Sequence, residues 1–579
     1  MNRTSLFAAL IVTAAVVLAV FSLWDDTYVV DEVPHLAAGY SYLSKQDMRL
    51  NPEHPPLAKI VGASPLFLFD AEDVFTDSPL WLNNTHFSQW ELGRRLLFGS
   101  GIDPDAALRM IKSVMLLFFV GAAWVLYRWT YRRYGDHAAL LAVGLFAFSP
   151  TVIGHSRLVA TDIPALFGAL LGCYLFARYI REPSRRGFWF WVAGLGVALL
   201  TKFSTIILLP VFVLVALIYA PRQLLPRTML GIVLAFVLVV WPVYAILSSN
   251  YPPAQQVADT HRNLPHPSRQ NIIERTIADY ADHDLLRPLD YYALGLHRAT
   301  ERSDGGNVIF FRGDIVQDGP RWYFPFVYFI KEPLALWFLA LIALIGCIKT
   351  VFKNRWYNDS PSRLLAWLRS NPDDLVMLTF LVAYWAVSIR SNLHIGLRHI
   401  LPVYPFMLMF IAGGVVACMQ RADMRVLRVV VPLLIAWYGA ASVFSFPHYI
   451  SYFNITVGGS DRGHTVVADS NLDWGQDGKR LAQWTHEHGL EGIAVHPFTW
   501  SDLYYYFNGR LIWVNENQTR DATTFLQGPG QQSNGWLAVS GHWLTSTHDG
   551  NKQRHYAWLD DYEPIAVIGN SIFVYHIQP

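Results

Sequence analysis

Long apolar runs dominate the chain, separated by short basic segments or by longer polar ones. The first runs from Leu6 to Trp24; others lie near 110–130, 138–153, 161–178, 188–201, 203–220, 229–247, 326–348, 375–390, 400–419 and 427–446. Each approaches the ~20 residues that a bilayer asks of a helix, which predicts about eleven spans. Between them, Val33–Leu43 and Leu57–Phe69 are amphipathic and predict helices lying along the membrane surface. After residue 447 the pattern changes. A helix-like run at Gln476–His488 precedes short alternating segments at Ile493–Val495, Trp536–Val539 and Ile565–Ile577, the last a predicted hairpin turning at Gly569-Asn570. The fold class expected is an α-helical polytopic membrane protein with a small C-terminal extracytoplasmic α/β domain.

Charge placement orients this map. Arg3, Arg128-Arg132-Arg133, Arg178-Arg181-Arg185-Arg186, Arg222-Arg227, Lys349-Lys353-Arg355-Arg363-Arg369 and Arg421-Arg425-Arg428 fall in alternate connections, as cytoplasmic segments should. The first run is too long for a signal-peptide core and lacks a cleavage site, so it reads as an uncleaved span with its N-terminus inside. The division expected is a catalytic transmembrane module over 1–247 with a first outer loop at 25–108, an outer loop at 248–325, further membrane helices over 326–446, and the outer domain over 447–579.

Composition excludes other classes. Of 579 residues, 53% are apolar and 15% charged, where soluble domains carry about 25% charge. With 45 Lys+Arg against 44 Asp+Glu there is no basic footprint for nucleic acid. The three cysteines, Cys173, Cys347 and Cys418, all lie in apolar runs, which removes a disulfide framework and a cysteine zinc site.

Candidate chemistry lies on the outer side. Asp31-Glu32 follow the first span and are held close to the bilayer while reaching water, where carboxylates can take a proton or hold a metal ion. Their bland role is a solvated helix start. In RLNPEHPPLAKI three prolines fix how Glu53, His54 and Lys59 are presented. Arg157 and Asp162 lie at or near bilayer depth, where charges are costly and mark functional cavities, although Asp162 is equally suited to capping a helix. Lys202 is a lone cation between two apolar runs, a snorkelling residue or an anion ligand. Lys331-Glu332 open a span. His394, Arg398 and His399 sit where one span leaves and another enters, and the planar fork of Arg suits phosphate. Asp469–Gly478 is acid-rich and reads weakly as a loop-based cation site without the closing Glu of an EF-hand. No GxxxxGK[ST] or GxGxxG is present, so a nucleotide-driven reaction lacks its binding element.

Taken in order, the first span with Asp31-Glu32, the motif His54–Lys59, the Arg157…Asp162 loop, Leu199–Phe203 with Lys202, and Arg398–Pro402 resemble the dolichyl-phosphate-mannose–protein mannosyltransferases and their bacterial aminoarabinose-transferase relatives, of the GT-C type. The resemblance implies transfer of a hexosyl, mannosyl or pentosyl group from a polyprenyl-phosphate donor to a protein, lipid or glycan hydroxyl, with inversion, on the outer face of a bacterial inner membrane. It implies catalytic roles for Asp31, Glu32 and Asp162 and donor-phosphate binding by Lys59, Lys202, Arg157 and Arg398, with His54, Lys331, His394 and His399 in the substrate site. It implies no certain cofactor and leaves a divalent metal ion open. A lipid-linked sugar flippase or secondary transporter would also place charges at membrane depth, but should show two repeated halves.

Overall fold

The computed structural model describes residues 3–84, 87–317, 319–353, 361–421, 424–546 and 553–578; Arg355 of the basic segments lies outside them. The described chain is mostly helical, with one small C-terminal sheet. Among the described residues seven helices are long and apolar enough to cross a membrane: Arg3–Ser22, Pro104–Tyr134, Asp162–Arg181, Pro221–Leu247, Pro372–Arg390, Leu397–Met419 and Leu427–Phe444. Two bent pairs raise this to nine, Asp136–Ala147 with Pro150–Ser156 at 63° and Tyr323–Lys331 with Leu334–Thr350 at 113°. The expected count of eleven spans is not confirmed among the described residues. The runs at 188–201 and 203–220 form helices of only 15 and 12 residues, Arg185–Leu199 and Leu208–Tyr219. The chain between them is extended at Lys202.

Asp162–Arg181 is the most enclosed of the spanning helices, with 78% of its apolar window buried against 17% for Arg3–Ser22. Small residues permit this enclosure. A Cβ at Gly168 would lie 2.9 Å from the Ala198 Cα and 3.0 Å from the Thr201 hydroxyl, so the neighbouring helix approaches backbone to backbone.

The segment 248–325 adds a hairpin that the sequence pattern did not signal, β1 (Ile309–Phe311) with β2 (Asp314–Val316). The C-terminal sheet contains β3 (Ile493–His496), β4 (Leu511–Trp513), β5 (Trp536–Ser540), β6 (Ala566–Ile568) and β7 (Ile572–His576) in the order β4-β3-β5-β7-β6. β3 runs parallel to β4 and β5, and β7 antiparallel to β5 and β6. Gly569 and Asn570 have positive φ in the β6–β7 turn, where the register Ile568↔Ile572 leaves three residues in the connection.

Residues 469–478 join this domain to the helices. Thr27 and Val30 donate backbone hydrogen bonds to the Gln476 and Trp474 carbonyls at 2.9 and 3.0 Å. The Lys331 ammonium donates to the Ile450 and Asn471 carbonyls, and the Leu397 N–H to Asn471 Oδ1 at 2.9 Å.

Candidate functional site

Asp31 stands just before the helix Glu32–Ser44, and its carboxylate makes no capping hydrogen bond. It instead accepts from Arg398 Nη1 at 2.7 Å. Arg398 follows Gly396, whose φ of 146° and close contact with Ser470 leave no room for a side chain. The guanidinium lies over the Trp474 ring, 4.0 Å from its centre, and 3.9 Å from Asp162 Oδ2. Asp162 opens its helix and accepts from the Lys202 ammonium at 2.6 Å. Four charges from four separate segments thus alternate as Asp31–Arg398–Asp162–Lys202. The cluster is electrically balanced and graded in exposure: the Asp31 side chain is 29% exposed, Lys202 13%, Arg398 11% and Asp162 1%. Asp162 Oδ2 is buried with no hydrogen-bond partner, one unfilled acceptor beside two cations.

Two of the predicted histidines border this cluster. His54 packs edge-on against His35, ring centres 5.2 Å apart. Burial, His35 and the nearby Lys202 and Lys59 push the His54 imidazole well below its ordinary pKa. His35 is lowered to about 4, chiefly by burial, and shares a 2.7 Å hydrogen bond with the Val159 carbonyl. Both rings are neutral near neutral pH. His399 follows Arg398, and its Nε2 is buried without a hydrogen-bond partner.

Other predicted residues lie elsewhere. Glu32 turns away from Asp31 and is fully buried, accepting from the Val29 and Val159 N–H groups at 2.8 and 3.0 Å. Lys112 pairs with it at 3.2 Å and with Asp26 at 3.4 Å. Burial raises the Glu32 pKa despite that cation. Arg157 joins the same network, 2.9 Å from Asp26, which Arg480 meets at 3.0 Å. Burial works to raise the Asp26 pKa, but Arg157, Lys112 and Arg480 outweigh it and hold the carboxyl low. The expected catalytic role of Glu32 and phosphate role of Arg157 therefore meet side chains already committed to a buried brace. Lys59 is also internal, donating to Tyr42 Oη, the Asn51 carbonyl and Asn51 Oδ1, and burial pushes its pKa far down. Lys331 is the anchor for the 450–471 segment described above.

His394 lines a cavity of about 230 Å³ with Asn307, Tyr323, Asp469, His542 and Trp543. The cavity adjoins the charge cluster along two stretches of chain: His394 lies four positions before Arg398, and Asp469 five positions before Trp474. A larger cavity of about 420 Å³, beside Trp437, Phe444 and Asp461, contains none of the predicted site residues. In the acid-rich segment the Asp473 and Asp477 carboxylates already have protein partners. Asp473 bonds Ser540 and the Gly475 N–H, while Asp477 bonds Arg480, Ser571 and Gln476.

Sequence reasoning missed Trp474, Asp26, Lys112 and Arg480. Lys112 had a visible signal, a cation that follows Arg109 by one turn in a largely apolar helix. Trp474 had none, because its partner lies 76 residues away in a different segment.

Residues 100–246 match the family model described as dolichyl-phosphate-mannose-protein mannosyltransferase, which bears out the resemblance read from the sequence. That stretch holds Arg157, Asp162 and Lys202 but neither Asp31 nor Arg398. No curated protein matches the chain by sequence. Among solved structures the chain is similar to ArnT from Cupriavidus metallidurans bound to undecaprenyl phosphate, at 15% identity and a TM-score of 0.46, covering 98% of each chain. It is similar to the oligosaccharyltransferase AglB from Archaeoglobus fulgidus in complex with an inhibitory peptide and a dolichol-phosphate, at 11% identity and a TM-score of 0.46, covering 94% of this chain and 72% of that one. The Saccharomyces cerevisiae protein O-mannosyltransferase Pmt1-Pmt2 complex bound to the sugar donor matches at 12% identity and a TM-score of 0.45, over 84% and 92%.

Proposed function

We propose that the chain is an integral membrane glycosyltransferase that moves a sugar from a polyprenyl-phosphate donor to an acceptor hydroxyl on the extracytoplasmic side. The observation that carries this reading is the alternating cluster Asp31–Arg398–Asp162–Lys202 among membrane-spanning helices. Asp31, the most exposed member, takes the acceptor proton as the hydroxyl oxygen bonds to the anomeric carbon. The bond from that carbon to the phosphate oxygen breaks, and the lipid phosphate leaves with the electron pair. Arg398 and Lys202 receive the developing charge, an electrostatic term worth several kcal/mol in a water-poor site. One displacement inverts the anomeric centre. Asp162 acts as the spacer that keeps the two cations apart and aimed, and Trp474 supports the guanidinium plane. The cavity lined by His394 and Asp469 gives an acceptor room beside the reacting centre.

The test supplies membranes containing the protein with radiolabelled polyprenyl-phosphate sugars of several hexoses and pentoses. Label leaving the lipid for a protein, lipid or glycan product is the expected outcome. Label that crosses the membrane still attached to its lipid would replace this reading with the transporter.

A further inference from the structure

The outer segment between residues 248 and 325 carries a second constellation, remote in sequence from the charge cluster. The helix Ile272–Tyr280 begins with a capping box, in which Asn271 accepts from the Ile273 and Glu274 N–H groups and Glu274 Oε2 accepts from the Asn271 N–H at 2.7 Å. That bond fixes the Glu274 side chain and leaves its second oxygen directed at His297 Nε2, 3.4 Å away. His297 and Glu301 are one turn apart on the helix Arg287–Gly305, and Glu301 Oε1 stands 3.5 Å from the same nitrogen. The His297 nitrogen is buried and forms no hydrogen bond.

These separations are long for hydrogen bonds, which cluster near 2.9 Å. They match a different geometry. Ligand atoms bound tetrahedrally at about 2.0–2.1 Å lie roughly 3.3–3.4 Å from one another. All three donor atoms fall within 4.8 Å of each other, so only the two carboxylates need to close in for one ion to reach all three. We infer that Glu274, His297 and Glu301 form a structural binding site for a divalent transition-metal ion of the zinc type. One imidazole with two carboxylates suits such an ion better than calcium or magnesium, which prefer all-oxygen shells. The Glu301 side chain is 40% exposed and leaves an entry path and a fourth position for water.

The site has a mechanical consequence. On the same helix, Tyr291 donates to the Met48 carbonyl and Arg298 pairs with Glu53 at 3.4 Å. Clipping the two outer helices together steadies the surface against which the Glu53-His54 turn rests. This inference does not depend on the transfer reaction, and no member of the Asp31 cluster is a ligand.

The test uses the full chain, free of any histidine tag, purified in detergent, stripped with a chelator and titrated with Zn²⁺ against a chromophoric chelator. Thermal unfolding is followed in parallel. A single tight equivalent and a zinc-dependent rise in unfolding temperature are expected. His297→Ala and Glu301→Gln should each weaken binding by more than the ~10–100-fold typical of losing a mere outer-shell partner. His486→Ala, at an exposed position near the end of the helix Gly478–Glu487, should bind as the parent does. Glu301→Gln alters an exposed side chain and keeps the test open if His297→Ala fails to fold. Absence of a tight equivalent, or binding that survives both ligand substitutions, overturns the site.

Discussion

Replacing Lys112 by Met probes whether Glu32 braces the structure or takes part in chemistry. The Lys112 and Glu32 side chains have no exposure, and Lys112 also contacts Asp26 and donates to the Thr27 carbonyl at 3.1 Å. Removing one partner of a buried ion pair costs ~3–5 kcal/mol. Here Asp26 keeps Arg157 and Arg480, and Glu32 keeps two backbone N–H donors. The loss should therefore sit at the low end, about 3 kcal/mol. Glu32→Gln leaves Lys112 its other partners and should cost about 1–2 kcal/mol. The double variant no longer strands a charge, so it should cost less than the sum by more than ~1 kcal/mol. Acidity adds a signature. Burial raises the Glu32 pKa and Lys112 opposes that rise, so without Lys112 it climbs further. A carboxyl raised in the folded state contributes stability below its unfolded pKa and loses it as pH rises through the folded value. The Lys112→Met deficit should accordingly grow as pH rises above the ordinary carboxylate range, read by detergent-titrated unfolding with tryptophan fluorescence. Costs that add within ~0.5 kcal/mol, or a deficit indifferent to pH, would refute the brace. Glu32→Gln protein that remains folded should retain transfer activity.

Three further outcomes follow from the same geometry. Lys202→Ala should lower donor use by ~10²–10³-fold in kcat/KM while acceptor KM changes little, measured by varying each substrate in turn. Trp474→Ala removes the platform under Arg398, so it should lose ~0.5–2 kcal/mol of interaction and impair transfer more than folding, as activity per folded molecule will show. Asp473 is raised to about 7, mainly by burial and secondly by Asp477 against its hydrogen bonds. Its neutral form supports the fold and is lost as pH rises through that value, so Asp473→Asn should flatten the decline in thermal stability between about pH 5 and about pH 8.

Much of this arrangement was legible before folding. Lys202 stood out as a cation between apolar runs and Asp162 as an acid opening an apolar helix, because polarity at membrane depth is a local signal. The tail hairpin was readable because a Gly-Asn turn and alternating residues mark it locally. Pairings were not legible. Asp31 meets Arg398 across 367 residues and Asp26 meets Arg480 from the opposite end of the chain. Asp31 and Glu32 are neighbours in sequence, yet one lies outside the helix start and the other one step into it. Their side chains consequently face the cluster and the brace respectively. The span count was harder to read: apolar length is visible, but the extended break at Lys202, where the side chain pairs with Asp162, is not.

The most direct measurement compares wild type with Asp31→Asn for release of radiolabelled sugar from polyprenyl phosphate, at matched protein and matched unfolding temperature. Asparagine keeps the shape and a hydrogen bond to Arg398 but cannot take the acceptor proton. Removal of a general base predicts a loss of ~10²–10⁴-fold with the fold intact. Turnover within a few-fold of wild type would contradict the assignment of Asp31 as the base and, with it, the proposed reaction centre.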